Sequence, residues 1–117
     1  EYVMGNMVDG SGNFYSSSSG LAKQDVKYFD SYAYSASSYT DHARGKLGDA
    51  TKETLKSFGS ETGGWYGDYA GLPHGTGSWF RRGDYYSDGT SAGVFHFTCY
   101  TGGARTGTSF RSVLSAQ

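Results

Sequence analysis

Apolar and polar positions follow each other in short, interrupted runs along this chain, and that pattern predicts many brief elements joined by loops. Tyr2-Val3-Met4 reads as a short strand that gives way to Gly- and Ser-rich sequence ending at Ser16-Ser17-Ser18-Ser19-Gly20, a surface loop. Residues 21 to 46 place Tyr28, Phe29, Tyr32 and Tyr34 among charged residues with no single period, which predicts irregular structure with one short strand. Leu47 to Gly59 carries the one helical pattern. Asp49 is positioned to cap it, Ala50, Thr54, Leu55 and Phe58 recur at three- and four-residue spacing, and Gly59 supplies a left-handed stop. Beyond residue 60 the pattern turns to strands: Ser78 to Arg81, Gly93 to Thr98 and Ser109 to Leu114, separated by turn signals at Asp88-Gly89 and Gly102-Gly103. In the second of these, Val94 or Phe95 and Phe97 are expected to face inward and His96 and Thr98 outward.

Composition changes the picture of the core. The chain has 11 Tyr, 7 Phe and 2 Trp, with 5 Leu, 5 Val and no Ile, so its interior must be built largely from rings. Trp65, Tyr66, Trp79 and Phe80 are the expected core members of the middle, and Phe95, Phe97 and Phe110 those of the later strands. Nineteen Gly against one Pro favour turns, and the wealth of aromatics argues against low-complexity disorder. At 117 residues the chain fits one domain, residues 1–117. Glu1 is not an initiator methionine, so the sequence reads as a processed chain or a fragment.

Charge and chemistry narrow the function. A net charge of -1 gives no electrostatic case for a nucleic-acid partner, and no stretch approaches the roughly 20 apolar residues of a membrane span. Cys99 has no second cysteine to pair with. No Gly-x-Ser-x-Gly elbow is present, and His96 and Cys99 would lie on opposite faces of a strand, out of reach for proton transfer. Zinc-ligand spacing is absent, and Asp84-x-x-x-Asp88-Gly89 lacks the remaining ligands of a calcium loop. Arg82-Gly83-Asp84 spells an adhesive tripeptide, a short sequence that arises readily by chance. No cofactor and no catalytic residue is expected. Tyr, Ser, Gly and Asn are the residues of adaptable binding surfaces, where rings supply contact area at small entropic cost.

One set of motifs resembles a known family. Trp79-Phe80-Arg81-Arg82-Gly83-Asp84-Tyr85-Tyr86, followed by Ser91-Ala92-Gly93-Val94-Phe95 and closing with Ser109-Phe110-Arg111-Ser112-Val113-Leu114, is similar to the C-terminal half of the C-type lectin-like fold in its formylglycine-generating-enzyme branch. Glu1-Tyr2-Val3-Met4 resembles the Glu-Trp-Val strand of the same branch. Asp84 replaces the second glycine of the family's Arg-Gly-Gly element, and the family's early strands have no counterpart before Glu1. The resemblance implies an α+β, C-type lectin-like domain with short antiparallel strands, one helix near residues 49–58, long irregular loops and its N-terminal part missing.

Function follows from the branch. Formylglycine-generating oxidoreductases use two cysteines, so a chain with Cys99 alone is not expected to be one. The calcium motifs of sugar-binding lectins are absent; the single proline lies in Leu72-Pro73-His74. The resemblance is best to the variable proteins of diversity-generating retroelements and related phage and bacterial surface proteins. It implies a non-enzymatic, extracellular, cell-surface or virion-surface module presenting a Tyr/Ser/Gly-rich, hypervariable face to a protein or glycan receptor. The expected ligand-binding residues are Asp84, Tyr85, Tyr86, Asp88, His96, Thr98, Tyr100 and Arg105. The alternative is a homo-oligomeric subunit of a surface filament or pilus, with Tyr28 to Tyr39 making subunit contacts.

Overall fold

The computed structural model describes residues 1–9, 13–15, 25, 28–85 and 87–109. Among these residues four strands form one sheet: β1 (Tyr2–Met7), β2 (Asp30–Tyr32), β3 (Trp79–Arg82) and β4 (Phe97–Tyr100), in the order β2-β1-β3-β4. β1 runs parallel to β2, pairing Gly5 with Asp30 and Met7 with Tyr32. β3 is antiparallel to both β1 and β4, with Arg81 opposite Thr98 and Trp79 opposite Tyr100. The sheet is therefore mixed.

Period-two alternation in β3 and β4 sorts side chains onto two faces. Phe80 and Phe97 face the main core, where they join Tyr32, Ala70 and Leu72, with Val3 and Leu55 packed against the cluster. Ring centroids lie 5.5 Å apart between Tyr32 and Phe80 and again between Phe80 and Phe97, so rings do carry the interior. Each such ring buried contributes roughly 1.5–3 kcal/mol. Gly5 sits under this stack because a Cβ there would approach Phe80 to 3.0 Å and Tyr32 to 3.1 Å. Trp79 is buried on the other side of β3, edge-on to Phe14, which also meets Phe29. Asn6, next to last in β1, is fully buried, and both polar atoms of its amide lack a partner.

The α+β expectation with a helix over 49–58 is overturned. Among the described residues the only helical pieces are 3₁₀ turns, at His42–Arg44, Trp65–Gly67 and Gly89–Ser91. Residues 47 to 54 form consecutive turns because Gly48 (φ 93°) and Ala50 (φ 65°) are both left-handed. Asp49 does cap, but it caps a turn: its carboxylate accepts from the Thr51 amide at 2.8 Å and from the Tyr32 hydroxyl at 2.9 Å. Such side chains offer the backbone an alternative to the helical ladder. The expected apolar helix face fails as well, since Leu47 is 80% and Phe58 69% exposed. The all-antiparallel expectation is corrected by the parallel β1–β2 pair. The loops of the middle are tied by Arg44, whose guanidinium donates to the carbonyls of Pro73 (2.6 Å), Ala33 (3.3 Å) and Ser38. Ser16 to Gly20, Phe110 and most of the third expected strand lie outside the described residues.

Candidate ligand-binding cleft

On the sheet face opposite Phe80 and Phe97, Arg81 and Thr98 form a cross-strand pair, and Tyr100 follows on the same side of β4. The Arg81 guanidinium lies 4.7 Å from the centre of the Tyr100 ring, and that of Arg105 lies 5.0 Å from it. Gly83, at φ 66°, turns the chain off the end of β3, and its amide donates to the His96 carbonyl at 3.1 Å. The loop that follows folds on itself: the Asp88 amide donates to the Tyr85 carbonyl at 2.9 Å, and Gly89 at φ 61° starts the 3₁₀ turn to Ser91.

Asp84 and His96 meet inside this frame. The His96 Nδ1 is 2.9 Å from the Asp84 carboxylate and 3.0 Å from the Ser91 carbonyl. A carbonyl only accepts, so Nδ1 carries a proton, and Nε2 is buried without a hydrogen-bond partner. The two side chains are 4% and 10% exposed, although the Asp84 main chain is open to solvent. Burial raises the Asp84 carboxyl above its ordinary range, and a hydrogen bond with Asp88 adds to the shift. The Tyr69 ring stacks on His96 at 5.5 Å, and burial pushes its hydroxyl up to about 12.

Two adjoining clefts result. One, of about 310 Å³, is lined by Glu1, Arg81, Asp84, Tyr85, Asp88, Arg105 and the 106–108 loop. The other, of about 360 Å³, is lined by Tyr69, Arg81, Asp84, Asp88, Ser91, His96 and Thr98. They share Arg81, Asp84 and Asp88, and each falls at the small end of the roughly 300–1,000 Å³ of small-molecule sites.

The loop carrying His96 is fixed from below by Asp68. This residue is 5% exposed, and its carboxylate accepts from the Phe95 amide at 2.9 Å. Gly93 passes directly over that carboxylate, closer than any side chain would allow. The His96 amide in turn donates to the Gly93 carbonyl at 3.1 Å.

Of the residues singled out from sequence, Asp84, Tyr85, Asp88, His96, Thr98, Tyr100 and Arg105 come together here, while Tyr86 lies outside the described residues. His96 does not point outward as the alternation suggested. Residues 93–96 form a turn, β4 begins only at Phe97, and the imidazole is buried against Tyr69. Val94, offered as an inward residue, is 87% exposed. Trp65 and Tyr66 are not core either, at 46% and 89% exposure. Tyr66 adopts φ 63° and its ring stacks at 5.8 Å on Phe95, which is half-buried. Sequence reasoning missed Arg81, Tyr69, Ser91 and Asp68. Arg81 was legible as the polar alternate of Phe80; Tyr69 and Asp68 reach the site through a distant loop and carried no local signal.

The arrangement can hydrogen-bond, stack and present charge. Among the described residues, no group of three or more His, Cys, Asp or Glu could hold a metal ion. The Cys99 thiol is raised by burial and stays protonated, a weak nucleophile. Comparison with protein families, with curated proteins and with solved structures finds no match for the chain.

Proposed function

We propose that this domain is a non-enzymatic binding module, displayed on an extracellular, cell or virion surface, that holds a receptor in the cleft between β3, β4 and the 83–92 loop. The observation that carries this reading is the convergence of Arg81, Asp84, Asp88, His96, Tyr85 and Arg105 on one concave face, fixed from beneath by Asp68. The resemblance to variable surface proteins of retroelements supports it and makes the 98–108 segment the one expected to differ between copies. Tyr85, 39% exposed at the rim, is the aromatic anchor, and rings of this kind dominate binding energy.

The test is a fluorescent multimer of the domain applied to a panel of bacterial cells. Tyr85→Ala is expected to weaken binding by at least tenfold, about 1.4 kcal/mol, with an unchanged melting temperature. Binding to no cell type, or retention by the variant, refutes the reading.

A second reading, a filament subunit, is favoured by Tyr28 and Tyr34, which are 56% and 51% exposed beside the edge strand β2. Concentration-dependent assembly in sedimentation, abolished by Tyr34→Ser, would support that reading instead.

A further inference from the structure

We propose that Tyr15 and Tyr34 form an oxidative cross-linking site, at which a haem peroxidase and hydrogen peroxide join the two phenol rings into a dityrosine. This inference goes beyond the binding-module reading and does not depend on it.

Among the described residues, Tyr15 and Tyr34 are the one pair of tyrosines whose rings meet, with centroids 5.1 Å apart and planes at 71°. At that separation the edge of one ring touches the other. Tyr34 is 51% exposed and Tyr15 half-buried, so an oxidant reaches the pair from solvent. An exposed ring reorients within nanoseconds. The ortho carbons of Tyr34 therefore sample the edge and face of Tyr15 while the backbone stays in place.

The backbone fixes both tyrosines on Met7, the last residue of β1, which is fully buried. The Tyr15 amide donates to the Met7 carbonyl at 3.0 Å, and Val8 bridges Phe14, so the chain folds back against the end of β1. Tyr34 stands two residues beyond Tyr32, the β2 residue paired with Met7, and the amide of Ser35 donates to the Met7 sulfur at 3.2 Å. Two segments far apart in sequence thus present their phenols to each other from one anchor.

The chemistry balances. The peroxidase takes one electron and one proton from each phenol, and the peroxide leaves as two waters. The two tyrosyl radicals couple through their ortho carbons, forming one C–C bond. Each of those carbons then gives up its hydrogen as a proton and each phenol oxygen takes one up, which restores both aromatic rings. The protein has lost two hydrogen atoms.

The bond would staple the sheet where its support is thin. β2 has three residues and joins the sheet through the parallel pair with β1, and parallel pairing is slightly less stable per residue than antiparallel. A link from Tyr15 to Tyr34 closes a loop that contains β2 and restricts the unfolded chain as a disulfide does. The sequence has no disulfide to offer instead, since Cys99 is its one cysteine. That thiol is half-buried and competes weakly for the oxidant, because oxidation follows thiolate character and exposure.

The experiment oxidises the intact domain in dilute solution with a haem peroxidase and limiting hydrogen peroxide. The expected product is a monomer on denaturing gels that has lost two hydrogen atoms, fluoresces as a biphenol, and shows Tyr15 bonded to Tyr34 on peptide mapping. It should melt roughly 10 °C or more above the untreated domain. Tyr15→Phe and Tyr34→Phe each keep a ring in place and should abolish the link, whereas Tyr66→Phe, at a ring 89% exposed, should leave it. Melts of the unoxidised variants show that they are folded, and the mapping on the parent stands without them. The proposal falls if no link forms, if the bond maps to other tyrosines, or if coupling occurs only between molecules. It falls equally if a folded Tyr15→Phe or Tyr34→Phe variant still yields the same monomeric product, or if the linked domain melts like the untreated one.

Discussion

Gly93→Ala tests whether the buried Asp68 carboxylate is what holds the binding loop. Gly93 does not need glycine for its φ, which lies outside the left-handed region, so the test is steric. A Cβ at this position would fall well inside the 3.0 Å that real Cβ atoms essentially never breach, and the atoms it meets are the two oxygens and Cγ of Asp68. That carboxylate is 5% exposed and cannot swing into water without abandoning the Phe95 amide at 2.9 Å. Overpacking costs about 1–3 kcal/mol, and losing a hydrogen bond to a charged group about 1.5–3 kcal/mol. The expected loss is therefore about 2.5–6 kcal/mol, a melting temperature lower by roughly 10–30 °C. Asp68→Ala alone should cost about 1.5–3 kcal/mol. On that background Gly93→Ala should become neutral or gain about 0.4–1 kcal/mol through the unfolded state. Calorimetry of the four proteins gives the coupling energy directly. An equal cost for Gly93→Ala with and without Asp68 would refute the reasoning, and so would a single variant that melts like the parent.

Two further predictions concern stability. Burial holds the His42 imidazole below its ordinary value of 6.5, so between that lowered value and 6.5 the unfolded chain binds more protons than the folded one; stability should fall as pH drops through this window, and His42→Gln should flatten the slope in a pH series of thermal melts, an unchanged slope being the contrary result. His74 is lowered by burial in the same sense, whereas Asp84 acts oppositely, costing stability as pH rises from 3.8 through its raised value. Asn6→Leu removes a fully buried amide whose two polar atoms are unpartnered and should raise stability by about 1–3 kcal/mol; denaturant melts with a lower midpoint would mean that the amide is satisfied by a buried water.

The strands were legible where apolar alternation met a clear turn. Phe80 and Phe97 announced the inner face, and Asp88-Gly89 the loop between β3 and β4. The helix was misread because spacing alone cannot show that Gly48 and Ala50 turn left-handed, or that Asp49 spends its carboxylate on Thr51 and Tyr32. Period two likewise failed at His96: the turn over 93–96 is imposed by Asp68, a contact across 27 residues. The polar residues of the cleft were found because they cluster on two adjacent segments. Tyr69 and Asp68 joined them only once the fold brought a distant loop under the site. Tyr66 exposes most of a ring that composition had assigned to the core, and its left-handed backbone is what lifts it outward.

The position of β1 has a consequence for how the molecule forms. It precedes the other three described strands in sequence, yet it lies inside the sheet with β2 on one side and β3 on the other. Its antiparallel partners Trp79 and Arg81 stand more than seventy residues further along. Such distant pairing must close a long loop before any contact rewards it, which makes assembly slow. During synthesis β1 therefore waits with an unpaired edge until β3 has been made, and the sheet completes late. A helper that masks that edge, or a low synthesis temperature, should raise the yield of correctly folded domain more than any change at the binding cleft.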